Sequence, residues 1–359
     1  MKGASKSRSG RWPTAIDLFC GAGGLSLGLR QARFRIVAGL DIAPLAIESY
    51  RLNFPRIPLL EANVCDTSGA ELLERAGLAR GELDLLAGCP PCQGFSTLRT
   101  MRRQSAVHDD RNELVLEFLR LVRETRPRFV LMENVPGLAR DELFRKFVKG
   151  LGDMEYGVDS GVLDCSKFGT PQRRRRLVVV AAQGMEPSLV LSGGEDRSVR
   201  DAIGAIAGSA GHSGDPLHDH GERRSPEIQS IIERIPSDGG CRADLGEDAQ
   251  LECHRVAAAR GDGWGRDCYG RMAWDSPAPT ITGGCVNPGK GRFLHPEKNR
   301  AMTLREALLL QGFPEDYRLS MTRGKYAAAD LAGNAIPPPF VKAQAQALRH
   351  LATSGGFAP

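Results

Sequence analysis

Cys92 stands behind two prolines in Gly88-Cys89-Pro90-Pro91-Cys92-Gln93-Gly94-Phe95-Ser96, directly after the apolar run Leu83 to Ala87. Each proline restricts its own backbone, so the sulfur is aimed rather than simply packed, and a cysteine mounted this way is a candidate nucleophile. Turn formation or packing is the alternative. Cys89 and Cys92 also spell C-x-x-C, the spacing of half a zinc site or of a redox dithiol. Zinc needs a second pair, yet Cys20, Cys65, Cys165, Cys241, Cys253, Cys268 and Cys285 stand singly. A base deaminase would carry P-C-x-x-C after H-x-E. Gln93-Gly94-Phe95 follows Cys92, and His220-Gly221-Glu222 has no such motif downstream.

Three further groups could serve a cysteine nucleophile. A thiol is mostly protonated at neutral pH and needs cationic neighbours to ionise. Arg174 and Arg176, two apart in a strand-like stretch, point to one face and can supply them. Glu133, at the end of the apolar run Arg128 to Met132, is a candidate acid, because burial favours the protonated carboxyl. Asp17-Leu18-Phe19-Cys20-Gly21-Ala22-Gly23-Gly24 joins a strand to a helix, where glycines admit a ligand to unpaired N–H groups. Position 26 is serine, so the G-x-G-x-x-G dinucleotide fingerprint is incomplete. Asp41 ends the second strand, where an acid in such folds holds ribose hydroxyls. The two features together point to a nucleoside cofactor.

The elements that must position these residues alternate. Strands are expected at Ala15 to Phe19, Arg35 to Leu40, Leu59-Leu60, Leu83 to Ala87, Arg128 to Met132 and Leu177 to Ala182. Helices are expected at Leu25 to Arg33, Ala43 to Asn53, Ala70 to Ala76, Asn112 to Glu124 and Asp141 to Lys149. This rhythm predicts an α/β fold with a mostly parallel, Rossmann-like sheet. After Ala182 the chain turns rich in Gly, Ser, Asp and His, which marks a smaller loop-rich domain. Helical patterns return at Leu304 to Leu310 and Phe340 to Leu351. We therefore divide the chain into a basic tail (1–13), a catalytic and cofactor domain (14–183), a loop-rich domain (184–272), a connecting region (273–332) and a returning C-terminal helix (333–359).

At 359 residues, 41% hydrophobic and 25% charged, the chain is globular in composition. No run approaches the roughly 20 apolar residues of a membrane span. Nine unframed cysteines and a basic, polar N-terminus fit a reducing, cytoplasmic setting. Residues 184–270 hold nine arginines, no lysine and sixteen acids, so this segment carries −7 and the rest +12. The basic parts suit a polyanion, and the middle segment must read its target by shape or by particular arginines.

Taken in order, these motifs resemble the DNA (cytosine-5) methyltransferases. DLFCGAGGLSLGL is similar to their S-adenosylmethionine motif, GCPPCQGFS to their nucleophile loop, and Glu133-Asn134-Val135 to their ENV motif. FGTPQRRRR, RMAWDSPAPTITGG and GNAIPPPF resemble the later motifs, and the set brackets about nine-tenths of the chain.

The resemblance implies attack of Cys92 on carbon 6 of a flipped cytosine, with Glu133 on ring nitrogen 3 and Arg176 on the base carbonyl. It also implies S-adenosylmethionine as methyl donor, with no metal. That cofactor would be held by Phe19, Gly21, Gly23, Leu25, Asp41, Ile42, Asn63, Pro90, Leu114 and Asn334. Asn63 stands where the family usually has an acid. For the loop-rich domain (184–272) the resemblance implies target recognition. Gln93, Ser96 and Gln172 would meet DNA, and Arg223, Arg224 and Arg242 are candidates for guanine edges. The expected partner is double-stranded DNA, with a restriction endonuclease acting separately and the enzyme itself a monomer of bacterial or phage origin. A tRNA cytosine-5 methyltransferase, a non-catalytic DNA-binding regulator and a thiol oxidoreductase using Cys89 and Cys92 are the alternatives. His212, His218, His220 and His254 are read as loop residues rather than zinc ligands, and Cys20, Cys65, Cys165 and Cys285 as packing residues.

Overall fold

The computed structural model describes residues 12–91, 113–206, 208, 210–246 and 267–354. Cys92, Gln93, Ser96, Cys253 and His254 lie outside the described residues.

The first half builds one sheet from β1 (Thr14–Leu18), β2 (Arg35–Asp41), β3 (Leu59–Glu61), β4 (Leu85–Gly88), β5 (Phe129–Asn134), β6 (Tyr156–Asp164) and β7 (Arg175–Gln183). Its order is β3-β2-β1-β4-β5-β7-β6. The first five strands pair in parallel, and β7 lies antiparallel between β5 and β6. Strand β6 had no clear signature in the sequence. It is the half-buried edge of the sheet and carries Gly157, Asp159, Ser160 and Gly161, so no apolar run announces it.

Helices α1 (Gly24–Gln31), α2 (Pro44–Asn53), α3 (Gly69–Ala76), α4 (Leu114–Thr125) and α5 (Glu142–Gly152) connect the strands. One face of the sheet buries Leu72, Phe118 and Phe147 from α3, α4 and α5 with Ile16, Leu86 and Val130. The other face buries Leu25 and Leu29 of α1 with Phe340, Val341 and Leu348 of a C-terminal helix. A Cβ at Gly28 would lie 2.5 Å from that of Val341, so only glycine lets these two helices approach so closely.

A second core forms after β7. It gathers Val199, Ile203 and Leu217 with Met272, Trp274, Ile281, Leu308 and Phe313, and reaches back to Tyr50 and Phe54 of α2. Its helices are α6 (Val199–Ile203), α8 (Leu304–Leu310) and α9 (Gly324–Asn334), whereas α7 (Pro226–Arg234) buries Ile231 and Ile232 in a smaller cluster with Ile235 and Leu294, and α10 (Pro338–Ser354) returns to the sheet. Val199, Ile203 and Leu217 thus share their core with residues 272–335. Two histidines help to seat them. The His218 ring nitrogen Nδ1 lies 2.8 Å from Thr303 Oγ1, and His220 Nε2 accepts from the Leu304 N–H at 3.1 Å, both at the start of α8. Burial pushes His220 down to about 4, consistent with a neutral ring that accepts this bond.

Candidate active site

The parallel strands reverse their order between β1 and β4, and in such sheets ligands bind at the carboxyl ends beside that switch point. A cavity of about 770 Å³ opens there. Its wall is assembled from the strand ends: Phe19 to Ala22 after β1, Asp41 to Ala43 after β2, Ala62 to Val64 after β3, Cys89 to Pro91 after β4, and Glu133 to Val135 around the end of β5. Leu114, Arg174, Arg176 and the stretch from Asn334 to Ile336 complete it.

One end of the cavity is shaped like a nucleoside site. Phe19 and Gly21 both take left-handed backbone angles, φ 58° and 54°, which bend the chain round the cavity after β1. For phenylalanine that geometry is strained, and such strain persists where the surroundings impose it. Asp41 accepts the Gly21 N–H at 2.8 Å and the Ala43 N–H at 2.9 Å, so its carboxylate ties two cavity loops together. Asn63 accepts the Cys65 N–H at 3.1 Å and turns the chain after β3 while lining the cavity. Ile42 is an exposed apolar side chain at the same wall. A carboxylate, flanking apolar side chains and an amide carbonyl fit a nucleoside group. Gly23 is not part of the wall. A Cβ there would meet the Phe54 ring at 2.5 Å and the Tyr317 hydroxyl at 2.7 Å, so the position admits only glycine.

The other end is charged. Arg176 Nε lies 2.7 Å from Glu133 Oε1, with side chains 14% and 8% exposed, so the pair is nearly removed from water. Asn134, next along β5, donates to the Pro90 carbonyl at 3.0 Å and ties the double-proline turn to this pair. Cys89 also lines the cavity, and burial first, then the charge of Glu133, pushes its thiol well above the ordinary range. Such a thiol is a poor attacking group, which weighs against a redox role for Cys89.

Arg174 differs from the expectation of two strand arginines on one face. It precedes β7, is buried, and donates to the carbonyls of Ile281 and Gly333 at 2.9 and 3.0 Å. Burial, with the charge of Arg176, pushes it down to about 9.

Three residues expected to meet DNA face protein instead. Gln172 is fully buried and accepts the Ile281 N–H at 3.1 Å. Arg224 pairs with Glu222 and donates to the Asn299 carbonyl, and Arg242 is buried. Side chains enclosed by protein have no edge to offer a base. Arg223 remains exposed. Cys65, expected to pack, is exposed as well.

Beneath the glycine loop lies Asp17, which the sequence reading passed over. It is wholly buried, one oxygen accepts from the Ser26 hydroxyl at 2.7 Å, and that hydroxyl lies 2.8 Å from the Tyr50 hydroxyl. The other oxygen has no partner among the described residues. Burial, opposed by Ser26 and reinforced by Asp41, pushes Asp17 up to about 7 from 3.8. Between these values the folded protein keeps a proton that the unfolded chain releases, so stability from this group falls as pH rises and is lowest above about 7. Asp17→Asn should therefore raise the thermal midpoint at about pH 8 and raise it much less at about pH 5. Equal effects at both would show that Asp17 does not carry the buried charge.

A mostly parallel, Rossmann-like sheet with a cavity at its switch point and a buried acid–arginine pair in the cavity wall has the architecture of a methyltransferase fold. The chain belongs to the C-5 cytosine-specific DNA methylase family, whose sequence pattern matches residues 14–350, and it is a DNA cytosine-5 methyltransferase. It is 38% identical to the type II methylase M.HgiDII of Herpetosiphon aurantiacus over 90% of this chain and 91% of that one. It is 31% identical to the type II methyltransferase M.XorII of Xanthomonas oryzae over 92% of this chain and 83% of that one. Among solved structures it shares its fold with a DNA modification methyltransferase encoded within an E. coli prophage, with TM-score 0.69, 23% identity, and coverage of 95% and 99%. No helix among the described residues is long and apolar enough to cross a membrane.

Proposed function

We propose that this enzyme methylates carbon 5 of a cytosine flipped out of a short double-stranded site, with S-adenosylmethionine as donor and Cys92 as covalent nucleophile. One observation carries the reading: a single cavity holds the nucleoside-shaped wall of Phe19, Asp41 and Asn63 at one end and the Glu133–Arg176 pair at the other, with Pro90-Pro91 leading to Cys92. Cytosine's carbon 5 is a poor nucleophile until a thiolate adds to carbon 6, which forms the C–S bond and moves the ring electron pair toward carbon 5. Glu133 holds ring nitrogen 3 and the amino group, and Arg176 holds the carbonyl oxygen, where negative charge develops. When bound, S-adenosylmethionine supplies an electrophilic methyl group on a sulfonium. Loss of the carbon 5 proton to a base then restores the ring double bond and expels the Cys92 thiolate.

A stacked base cannot reach a cavity at the strand ends, hence the need for flipping. Asp41 would hold ribose hydroxyls, Phe19, Ile42, Leu25, Pro90 and Leu114 the apolar faces, and Asn63 the adenine amino group. Residues 184–272 serve target recognition, with Arg223 the exposed candidate among the three arginines, and a separate endonuclease is the natural partner of such an enzyme. The test is transfer of radiolabel from S-adenosylmethionine to duplex DNA and to tRNA, followed by bisulfite sequencing of the DNA. Label confined to DNA, with 5-methylcytosine at one short motif, is expected. Label on tRNA alone would overturn the choice of substrate.

A further inference from the structure

Arg174 joins three stretches that lie far apart in the chain. It sits just before β7, its two terminal nitrogens donate to Ile281 and Gly333, and its side chain also lines the cavity. Gly333 is followed by Asn334, which ends α9 at the cavity lip. Ile281 belongs to the segment that leads out of the recognition residues. That segment runs beside the Arg174 loop. Arg173 N–H donates to the Ala278 carbonyl at 2.8 Å, Ala278 N–H to the Pro171 carbonyl at 2.9 Å, and the Thr280 hydroxyl to the Arg173 carbonyl at 2.7 Å. Residues 282 and 333 are packed so closely that a Cβ at Gly333 would lie 2.2 Å from the Thr282 carbonyl carbon. A planar guanidinium holds two carbonyls in fixed relative positions, whereas a lysine ammonium is a single flexible donor point.

We propose that Arg174 is a positioning residue that couples the cofactor lip at Gly333-Asn334 to residues 278–283, so that filling the cofactor end of the cavity sets the recognition segment for DNA. The inference rests on the methyltransferase reading above. Coupling of this kind is reciprocal and is measured as a ratio of affinities.

The test uses the full-length chain, S-adenosylhomocysteine and duplex DNA. In the wild type, S-adenosylhomocysteine should slow hydrogen exchange at 330–336 and also at 278–284, and tighten DNA binding by about fivefold or more. In Arg174→Lys, protection should persist at 330–336 and vanish at 278–284, and the affinity ratio should fall toward one. A general loss of stability would lower the melting temperature without removing that ratio. A variant that keeps the wild-type ratio overturns the coupling. So does a wild type protected at 330–336 but not at 278–284, and this arm decides the matter if the variant does not fold. No protection at 330–336 in the wild type instead sinks the cofactor reading, and the coupling with it.

Discussion

Cys92→Ser should lose methyl transfer to DNA by a factor on the order of 10⁴ or more, while S-adenosylhomocysteine still raises its melting temperature. A few per cent of an ordinary thiol is ionised at neutral pH and a neighbouring cation increases that share, whereas a serine hydroxyl stays protonated without a strong base. The cavity offers Arg176 and Arg174 as cations close to the turn that presents residue 92. The Pro90 carbonyl is anchored by Asn134, so the substitution leaves the mounting of the turn intact. A duplex with 5-fluorocytosine at the target checks the covalent step, because carbon 5 then has no proton to lose and the adduct persists. Wild-type protein should form a denaturant-resistant complex with this DNA and Cys92→Ser should not. A serine variant that forms the complex, or methylates near the wild-type rate, would remove Cys92 from the chemistry.

Arg271→Met should destabilise the packing around α7 by on the order of 4 kcal/mol. Arg271 is 1% exposed, the largest fully buried side chain among the described residues. Nε donates to the Ile235 carbonyl at 3.0 Å, and Nη1 to the carbonyls of His295 and Lys298 at 3.1 and 2.7 Å. Nη2 donates to the Ile232 carbonyl at 2.9 Å and to Asn299 Oδ1 at 2.6 Å. Every guanidinium donor is used, and two of the acceptors, the carbonyls of Ile232 and Ile235, lie at the C-terminal end of α7. Methionine fills most of the volume and leaves the Ile235 and His295 carbonyls buried without a donor, while the Ile232 and Lys298 carbonyls keep the N–H groups of Ile235 and Arg300. Each orphan costs about 1–3 kcal/mol, and relaxation or entering water offsets part of the sum. Urea unfolding should show an early transition in the variant. S-adenosylhomocysteine should still protect the sheet, whose cores are separate from the α7 cluster. A loss below about 2 kcal/mol would mean that water replaces the guanidinium.

The parallel half of the fold was legible because its strands are buried on both faces. Such strands read as unbroken apolar runs, and those at Ala15, Arg35, Leu83 and Arg128 fall within a residue or two of β1, β2, β4 and β5. Strand β6 was not, since an edge strand needs no apolar run. Helix α9 was also missed: Gly324-Lys325-Tyr326-Ala327-Ala328-Ala329 has little amphipathic contrast, and its alanines are buried by contact with the second core.

Motif order and residue chemistry determined the family, the cavity loops and the choice of Glu133 and Arg176 as candidates, because these depend on short stretches at strand ends. Tertiary contact alone decided what the repeated polar residues do. Arg174 and Arg176 are equivalent in spacing, yet one pairs with Glu133 and the other meets carbonyls 107 and 159 residues away. Gln172, Arg224 and Arg242 looked like DNA readers, yet Gln172 and Arg242 are buried and Arg224 is half-buried against Glu222, while the space beside Gly23 is taken by Phe54 and Tyr317. A side chain's partners follow from which distant segments the cores bring beside it. No local pattern of charge or spacing carries that information.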